Sequence, residues 1–119
     1  MDRKARIREY RETPRTMGVF RVLNTVNGKA LIGASLDLPS AFNRHRAQLR
    51  QGAHPDRRMQ SDWRTLGPDA FSFEVLDTLP PKDQPGYDPI PDLKALEALW
   101  LEKLAPAGDP GYQAHGKIR

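Results

Sequence analysis

The stretch around Asn27-Gly28 constrains the fold of this chain more than any other part of its sequence. Residues 17–23 before it and residues 30–33 after it are rich in the β-branched, aromatic and other apolar residues that strands favour. An Asn-Gly pair readily takes the positive φ angles of a type I′ turn, which joins the two strands of a tight hairpin. The sequence therefore predicts that residues 18–24 pair antiparallel with residues 29–33 through a tight turn at Asn27-Gly28.

Helix signals follow the hairpin. Asp37 stands before Leu38-Pro39, and a capping carboxylate with a proline in the first turn predicts a helix that runs to about residue 51. A second helix is predicted to begin near Asp56 and to end at Gly67-Pro68. Its apolar stripe is expected to comprise Met59, Trp63 and Leu66.

The second half of the chain predicts one more strand and one more helix. Residues 71–76 alternate apolar and polar side chains in their first half, as a strand of the same sheet does. The proline-rich residues 80–91 predict a loop, and Asp92 then caps a last helix. The apolar stripe of that helix is expected to comprise Leu93, Leu96, Leu99, Trp100 and Leu104. The predicted fold class is α+β, a small antiparallel sheet with a central β-hairpin flanked by helices.

Length and composition limit the organisation of the chain. At 119 residues it fits one domain, with a basic amino-terminal helix over 1–16, the domain itself over 17–113 and a tail over 114–119. Cysteine is absent, which excludes disulfides and thiolate metal sites. No apolar run reaches the length of a membrane span or follows the basic start as in a secretory signal, so a cytoplasmic location is expected.

Positive charge is concentrated in the first half of the sequence. Residues 1–58 carry thirteen Lys and Arg against five Asp and Glu, whereas residues 59–119 carry six against ten. The basic half is a candidate phosphate-binding surface, although a run of surface charge can equally be a solvated face without a partner. The candidate nucleic-acid contacts are Arg6, Arg8, Arg46, Arg50, Arg57 and Arg58.

The hairpin and the segments after it resemble the GIY-YIG endonuclease family. Gly18-Val19-Phe20 and Leu31-Ile32-Gly33 occupy the places of the two motifs that name the family. The resemblance covers about residues 17–113. It extends to Asn27-Gly28-Lys29, Ser35, Leu38, His45, Leu49-Arg50, Gly52, His54, Gln60, Trp63, Gly67, Phe71, Phe73, Glu97 and Gly111-Tyr112.

The resemblance also implies an active site, and this sequence departs from it. In the family, two tyrosines and a helix arginine surround the scissile phosphate and a glutamate holds a divalent metal. Here Phe20, Leu31 and Ala41 stand at the first three positions. Glu97 matches the glutamate, so Mg²⁺ or Mn²⁺ is the implied cofactor. The asparagine that follows Gly-Tyr in the family is Gln113 in this chain.

Two residues on the first helix are candidates to replace what is missing. Arg44 and His45 lie three and four residues after Ala41, so on a helix they share its face one turn along. His45 can also be a packing residue, because it lies on the apolar stripe of that helix. Glu97 has an equally plain alternative, since an exposed glutamate early in a helix suits the helix dipole.

Two functions remain open from the sequence. The first is a DNA-binding nuclease-like protein in which metal-dependent phosphodiester cleavage is weak or lost, because Phe20 and Leu31 can neither orient a nucleophile nor take its proton. The alternative is a non-catalytic regulatory or protein-interaction domain that kept the nuclease fold. The retained arginines favour DNA, whereas the sequence leaves open whether the chain is still an enzyme.

Overall fold

The computed structural model describes residues 16–104, 111–112 and 118. The amino-terminal helix predicted over residues 1–16 and the tail predicted over residues 114–119 therefore lie outside the described residues, apart from Thr16 and Ile118. None of the helices within the described ranges combines the length and the apolarity that a bilayer span needs.

Three antiparallel strands form the centre of the described chain. They are β1 (Met17–Asn24), β2 (Ala30–Ser35) and β3 (Phe71–Leu79), in the spatial order β2-β1-β3. In the β1–β2 pair Phe20 lies opposite Gly33, which confirms the predicted hairpin. In the β1–β3 pair Phe20 lies opposite Val75, which confirms that residues 71–76 join the same sheet.

The hairpin loop is longer than the predicted two-residue turn. The N–H of Gly28 donates to the carbonyl of Asn24 at 2.9 Å, and the five residues 25–29 lie between the end of β1 and the start of β2. Gly28 has a φ of 78°, but no described residue other than glycine has a positive φ, and a type I′ turn at Asn27-Gly28 is therefore wrong. The Oδ1 atom of Asn24 accepts a hydrogen bond from the N–H of Val26 at 3.0 Å, and this contact holds the chain in the longer loop.

Two helices begin and end where their capping residues predict. They are α1 (Leu38–Gln51) and α2 (Arg57–Leu66). Asp37 accepts a hydrogen bond from the N–H of Ser40 at 3.2 Å, and Asp56 accepts one from the N–H of Met59 at 3.0 Å. Leu66 is 39% exposed rather than part of a buried stripe, because the chain leaves the helix there and enters the 3₁₀ turn Pro68–Ala70.

The last helix, α3 (Ile90–Leu104), begins before its predicted cap. Asp92 lies inside the first turn, where its carboxylate accepts a hydrogen bond from the Tyr87 hydroxyl at 2.6 Å. A tertiary contact thus occupies the side chain that was expected to cap the helix, and the proline-rich loop ends at residue 89. The predicted apolar stripe is also too broad, since Leu99 and Leu104 are 49% and 40% exposed.

The sheet separates two clusters of buried side chains. α3 covers one face, where its Leu93 and Trp100 pack against residues such as Val19 and Ile32. α1 and α2 cover the other face, and that cluster comprises Phe20, Val22, Leu31, Leu38, Ala41, Leu49, Met59, Ala70, Phe71 and Tyr112. Trp63 packs against it with its ring centroid 5.3 Å from that of Phe71, so both tryptophans are half-buried packing residues at the edges of the two clusters.

Candidate functional site

Phe20, Leu31 and Ala41 lie together in the interior of the larger cluster. Their exposed fractions are 3%, 2% and 0%. β1 and β2 place the first two on the sheet face that α1 covers, and α1 places Ala41 over them. The three positions that the resemblance assigns to the phosphate are therefore filled by apolar side chains that water does not reach.

The ring of Phe20 takes up the room above β2. A Cβ atom at Gly33 would lie 2.8 Å from the Cζ atom of Phe20, which is closer than real Cβ contacts come. Phe20 also meets Phe42 edge to face at 5.7 Å between ring centroids, and its ring lies 5.4 Å from that of His45. Gly33 is thus needed for the close approach of an aromatic ring.

His45 is joined to His54, a pairing that the sequence does not predict. The Nδ1 atom of His45 lies 2.8 Å from the Nε2 atom of His54. The N–H of Asp56 donates to Nδ1 of His54 at 3.0 Å, so the proton of neutral His54 is on Nε2 and points at His45. His45 accepts this bond, and its own proton is therefore on Nε2. The two rings form a one-way hydrogen-bonded chain that begins at the backbone.

Both histidines are held neutral. Burial, followed by the neighbouring charges of His54 and Arg44, lowers the pKa of His45 to about 4. Burial also lowers the pKa of His54, although the nearby Asp56 carboxylate opposes this change. Neutral rings suit the hydrogen bond between them, because protonating His45 at Nδ1 would set two N–H groups against each other.

A buried glutamine fixes the loop that carries His54. The Nε2 atom of Gln60 donates to the carbonyl of Leu49 at 2.9 Å, and its Oε1 atom accepts from the N–H of His54 at 3.0 Å. Gln60 is 3% exposed, so this side chain replaces backbone partners that the interhelical loop lacks. Its contacts set the position of the His54 ring beside α1.

Arg44 lies on α1 one turn beyond Ala41 and is half-buried. Its charge acts on His45, as the lowered pKa of that ring shows. Arg44 lies on the same side of α1 as Ala41, as the helical spacing predicts. The role of Arg44 as a replacement for the missing arginine stays a prediction.

Glu97 is held at the outer edge of β2, on the side away from β1. The backbone N–H of Ala34 donates to its carboxylate, and burial raises the pKa of Glu97 while Lys94 acts in the opposite direction. Ala34 is the neighbour of Gly33, over which the ring of Phe20 lies. The fold thus brings Glu97 to β2, the strand that carries Leu31, from the opposite face of the sheet.

The other arginines of α1 and α2 divide into two groups. Arg46 lies over the ring of Phe73, with its guanidinium carbon 4.3 Å from the ring centroid. Arg50, Arg57, Arg58 and Arg64 are exposed and form no ion pair with a described residue. Among the predicted contacts, Arg6 and Arg8 lie outside the described residues. The described arginines therefore leave several positive charges free for an anionic partner.

A second polar network, centred on Tyr112, was not predicted. The N–H of Tyr112 donates to the carbonyl of Ala30 at 3.2 Å, which sets this residue beside β2. Its buried hydroxyl donates to Asp62 and accepts from Nδ2 of Asn24 at 3.1 Å. Burial and the bond to Asp62 raise the pKa of Tyr112 to about 12. The only sequence signal was the Gly111-Tyr112 pair of the resemblance, which does not reveal these partners.

Two solved structures share this arrangement of strands and helices. The catalytic domain of homing endonuclease I-TevI superposes with a TM-score of 0.66 at 23% identity, over 84% of this chain and 99% of that domain. A variant of the same catalytic domain superposes with a TM-score of 0.68 at 21% identity, over 87% of this chain and 99% of that one. The chain has the GIY-YIG nuclease fold.

One curated protein matches about half of this chain by sequence. Intron-associated endonuclease 1 of Enterobacteria phage T4 is 27% identical over 63 residues, which are 53% of this chain. The chain spans a quarter of the length of that relative. No family profile matches the chain. The likeness to solved structures therefore shows the fold alone.

Proposed function

We propose that this chain is a DNA-binding, GIY-YIG nuclease-like protein in which metal-dependent phosphodiester cleavage is weak or lost. One observation carries the proposal: the exposed arginines of α1 and α2 form no ion pair with a described residue, and the inner sides of both helices cover a sealed apolar cluster. The outer side suits a phosphate backbone, and the inner side lacks the groups that cleave it.

The exposed arginines support the binding half of the proposal. Guanidinium groups bind phosphate oxygens through a planar fork of donors, and each phosphate contact releases a counterion from DNA. Arg50 is in the last turn of α1, and Arg57 and Arg58 are in the first turn of α2. These contacts would position the protein on DNA without reading its sequence.

The apolar cluster supports the weak-cleavage half. A phosphodiester reaction needs a positioned nucleophile and donors that stabilise the developing charge. Phe20, Leu31 and Ala41 provide neither, and loss of one such donor typically slows catalysis by about 10²–10³. His45 is neutral and hydrogen-bonded to His54, so it supplies no positive charge at neutral pH.

Glu97 is the residue that would hold Mg²⁺ or Mn²⁺. The described residues contain no group of three or more His, Asp and Glu side chains that could bind a metal together, so a bound ion would take its other ligands from water and from DNA phosphates. Bound there, the ion would supply Lewis-acid stabilisation of the phosphate oxygens. Ala34 orients the carboxylate through its backbone N–H.

Binding is tested with the Arg57→Ala/Arg58→Ala double variant, using fluorescence anisotropy of a labelled duplex over a salt series. We expect wild-type affinity to fall steeply with salt and the double variant to reduce the log–log slope by about 2, one counterion for each lost contact. The matched control, Lys82→Ala/Lys103→Ala, removes two positive charges outside α1 and α2 and is expected to keep the wild-type slope. Undetectable binding at about 50 mM salt, or a slope unchanged in the arginine variant, contradicts DNA binding.

Cleavage is tested by nicking of supercoiled plasmid with Mg²⁺ and with Mn²⁺. We expect slow or no nicking by the wild-type chain. Any residual nicking should be lost in Glu97→Ala with DNA affinity retained, and lost in Arg44→Ala with a smaller salt slope. A wild-type turnover near the roughly 10 s⁻¹ of a typical enzyme would refute the weak-cleavage half and leave the binding half standing.

A further inference from the structure

The outward face of α3 exposes mostly apolar side chains to water. That face comprises Pro91, Ala95, Ala98 and Leu99, together with the charged residues Lys94 and Glu102, all of them exposed. Opposite it, Leu93, Leu96 and Trp100 pack against the sheet. A surface helix normally carries mainly polar side chains opposite its buried stripe, whereas four of these six exposed residues are apolar. None of the described residues covers this outward face enough to bury it.

Two opposite charges flank the middle of this face at equal distances. Lys94 precedes Ala98 by four residues and Glu102 follows it by four, so all three lie along one ridge of the helix. Both charged residues are exposed, and neither forms an ion pair within the described part of the chain. The two charges are about 12 Å apart along the axis. Reversing the direction of the helix therefore keeps the spacing of the two charges and exchanges their signs.

We propose that α3 pairs antiparallel with α3 of a second copy of this chain, across a two-fold axis at Ala98. Such an axis exchanges the ends of the helix, so Lys94 of each copy comes opposite Glu102 of the other. A parallel pair would instead set lysine against lysine and glutamate against glutamate. The charge pattern is therefore complementary to itself in one orientation, which is the property of an isologous interface.

Side-chain size along the face suits this pairing. Alanine at 95 and 98 lets two helix axes approach to about 8 Å, the short end of the usual range. Leu99, which is 49% exposed in one copy, would be covered by the other. A helix of 15 residues is about 22 Å long and offers less than the roughly 800 Å² per partner of a standard interface. We therefore expect a weak dimer, with a Kd on the order of 10⁻⁵–10⁻⁴ M.

The first experiment is sedimentation equilibrium of the full chain from about 10 µM to 1 mM, a range that brackets this Kd. We expect the wild type to pass from monomer to dimer. Ala98→Glu sets two carboxylates at the axis and should raise the Kd at least tenfold. Ala47→Glu makes the same change at an exposed position of α1 and should dimerise like wild type. A wild type that stays monomeric at 1 mM, or an Ala98→Glu variant that dimerises normally, overturns the proposal.

The second experiment tests the orientation by exchanging charges. Lys94→Glu and Glu102→Lys should each weaken the dimer several-fold, because each leaves two like-charge contacts. A mixture of the two variants should form heterodimers in which both contacts are again opposite in sign. The double variant Lys94→Glu/Glu102→Lys should dimerise like wild type. If the single variants dimerise as well as wild type, the antiparallel arrangement is wrong.

Discussion

Phe20 and Gly33 face each other on neighbouring strands, and each limits the size of the side chain that fits at the other position. The ring of Phe20 lies so close to β2 that a Cβ at Gly33 would meet its Cζ atom at 2.8 Å. Phe42 and His45 border the same ring from α1, which leaves it little room to move aside. The packing of the Phe20 ring therefore depends on the absence of a side chain at Gly33.

The first prediction is that Gly33→Ala destabilises the fold. The added methyl should cost about 1–3 kcal/mol through overpacking, measured as the free energy of unfolding in urea. Phe20→Leu/Gly33→Ala should recover part of the loss, because leucine is shorter than phenylalanine. If Gly33→Ala unfolds at the wild-type midpoint, the ring does not lie where the structure places it.

The second prediction concerns pH. The pKa of His45 is lowered from 6.5 to about 4, so between these values the unfolded chain binds more protons than the folded one. This contribution to stability is complete above pH 6.5 and is lost as the pH falls toward 4. We expect the free energy of unfolding to drop by about 1–2 kcal/mol between pH 7 and pH 5.

His45→Phe is the control for that measurement. It removes the titrating ring and should flatten the decrease between pH 7 and pH 5. It should also lower stability at pH 7, because the Nε2–H of His54 loses its acceptor. Wild-type stability that stays level or rises as the pH falls from 7 to 5 would show that these histidines are not buried as neutral rings.

Single residues differ in how well the sequence predicts their surroundings. The substitutions at Phe20, Leu31 and Ala41 can be read from the sequence, and their burial follows from their apolar character. The His45–His54 contact cannot be read from the sequence, because it depends on how the loop after α1 folds back. Gln60 holds that loop from the next helix, and nothing in the residue types specifies the pairing.

At the scale of elements, boundaries set by local contacts were predictable. Asp37 and Asp56 cap the helices that follow them because each accepts a hydrogen bond from an N–H three residues on. Asp92 shows the limit, since a tyrosine five residues earlier takes its carboxylate and the helix begins before it. The prediction of a two-residue hairpin turn is wrong for a similar reason, because the side chain of Asn24 accepts a hydrogen bond from the loop backbone.

Tyr112 connects elements that are far apart in sequence, and the third prediction tests this connection. Tyr112→Phe removes a hydroxyl that receives a bond from Asn24, whose side chain is buried, and donates one to Asp62. The expected cost is about 1–3 kcal/mol in urea unfolding, with Asp62→Ala costing less because Asp62 is partly solvated.

A double-mutant cycle supplies the control. Tyr112→Phe/Asp62→Ala should cost less than the two single changes added together, because both remove the same hydrogen bond. Costs that add within about 0.3–0.5 kcal/mol would mean that the hydroxyl and the carboxylate do not interact.

At the scale of the whole molecule, the sheet separates the two surfaces for which we propose partners. α1 and α2 carry the exposed arginines on one side of the sheet, and α3 carries the face around Ala98 on the other. If both proposals hold, a dimer through α3 presents its two arginine surfaces in opposite directions. One short duplex can then contact only one of them.

The fourth prediction follows from this separation. Titration of a duplex of about 12 base pairs, too short to reach around the dimer, should give one duplex per chain without cooperativity. Ala98→Glu should leave this affinity unchanged, because Ala98 lies across the sheet from the arginines. Isothermal titration calorimetry measures both the number of duplexes bound per chain and the affinity. One duplex shared by two chains, or weaker binding by Ala98→Glu, would place the two surfaces on the same side.

The position of Tyr112 in the larger cluster also determines when the protein can fold as it is made. Phe71, the last residue of that cluster before it, precedes Tyr112 by 41 residues. A ribosome adding about 5–20 residues per second needs roughly 2–8 s to synthesise that stretch. Throughout this interval Tyr112, which belongs to the same cluster as residues of the hairpin, α1 and α2, has not been translated. The buried cluster can therefore be completed only after synthesis has passed residue 112.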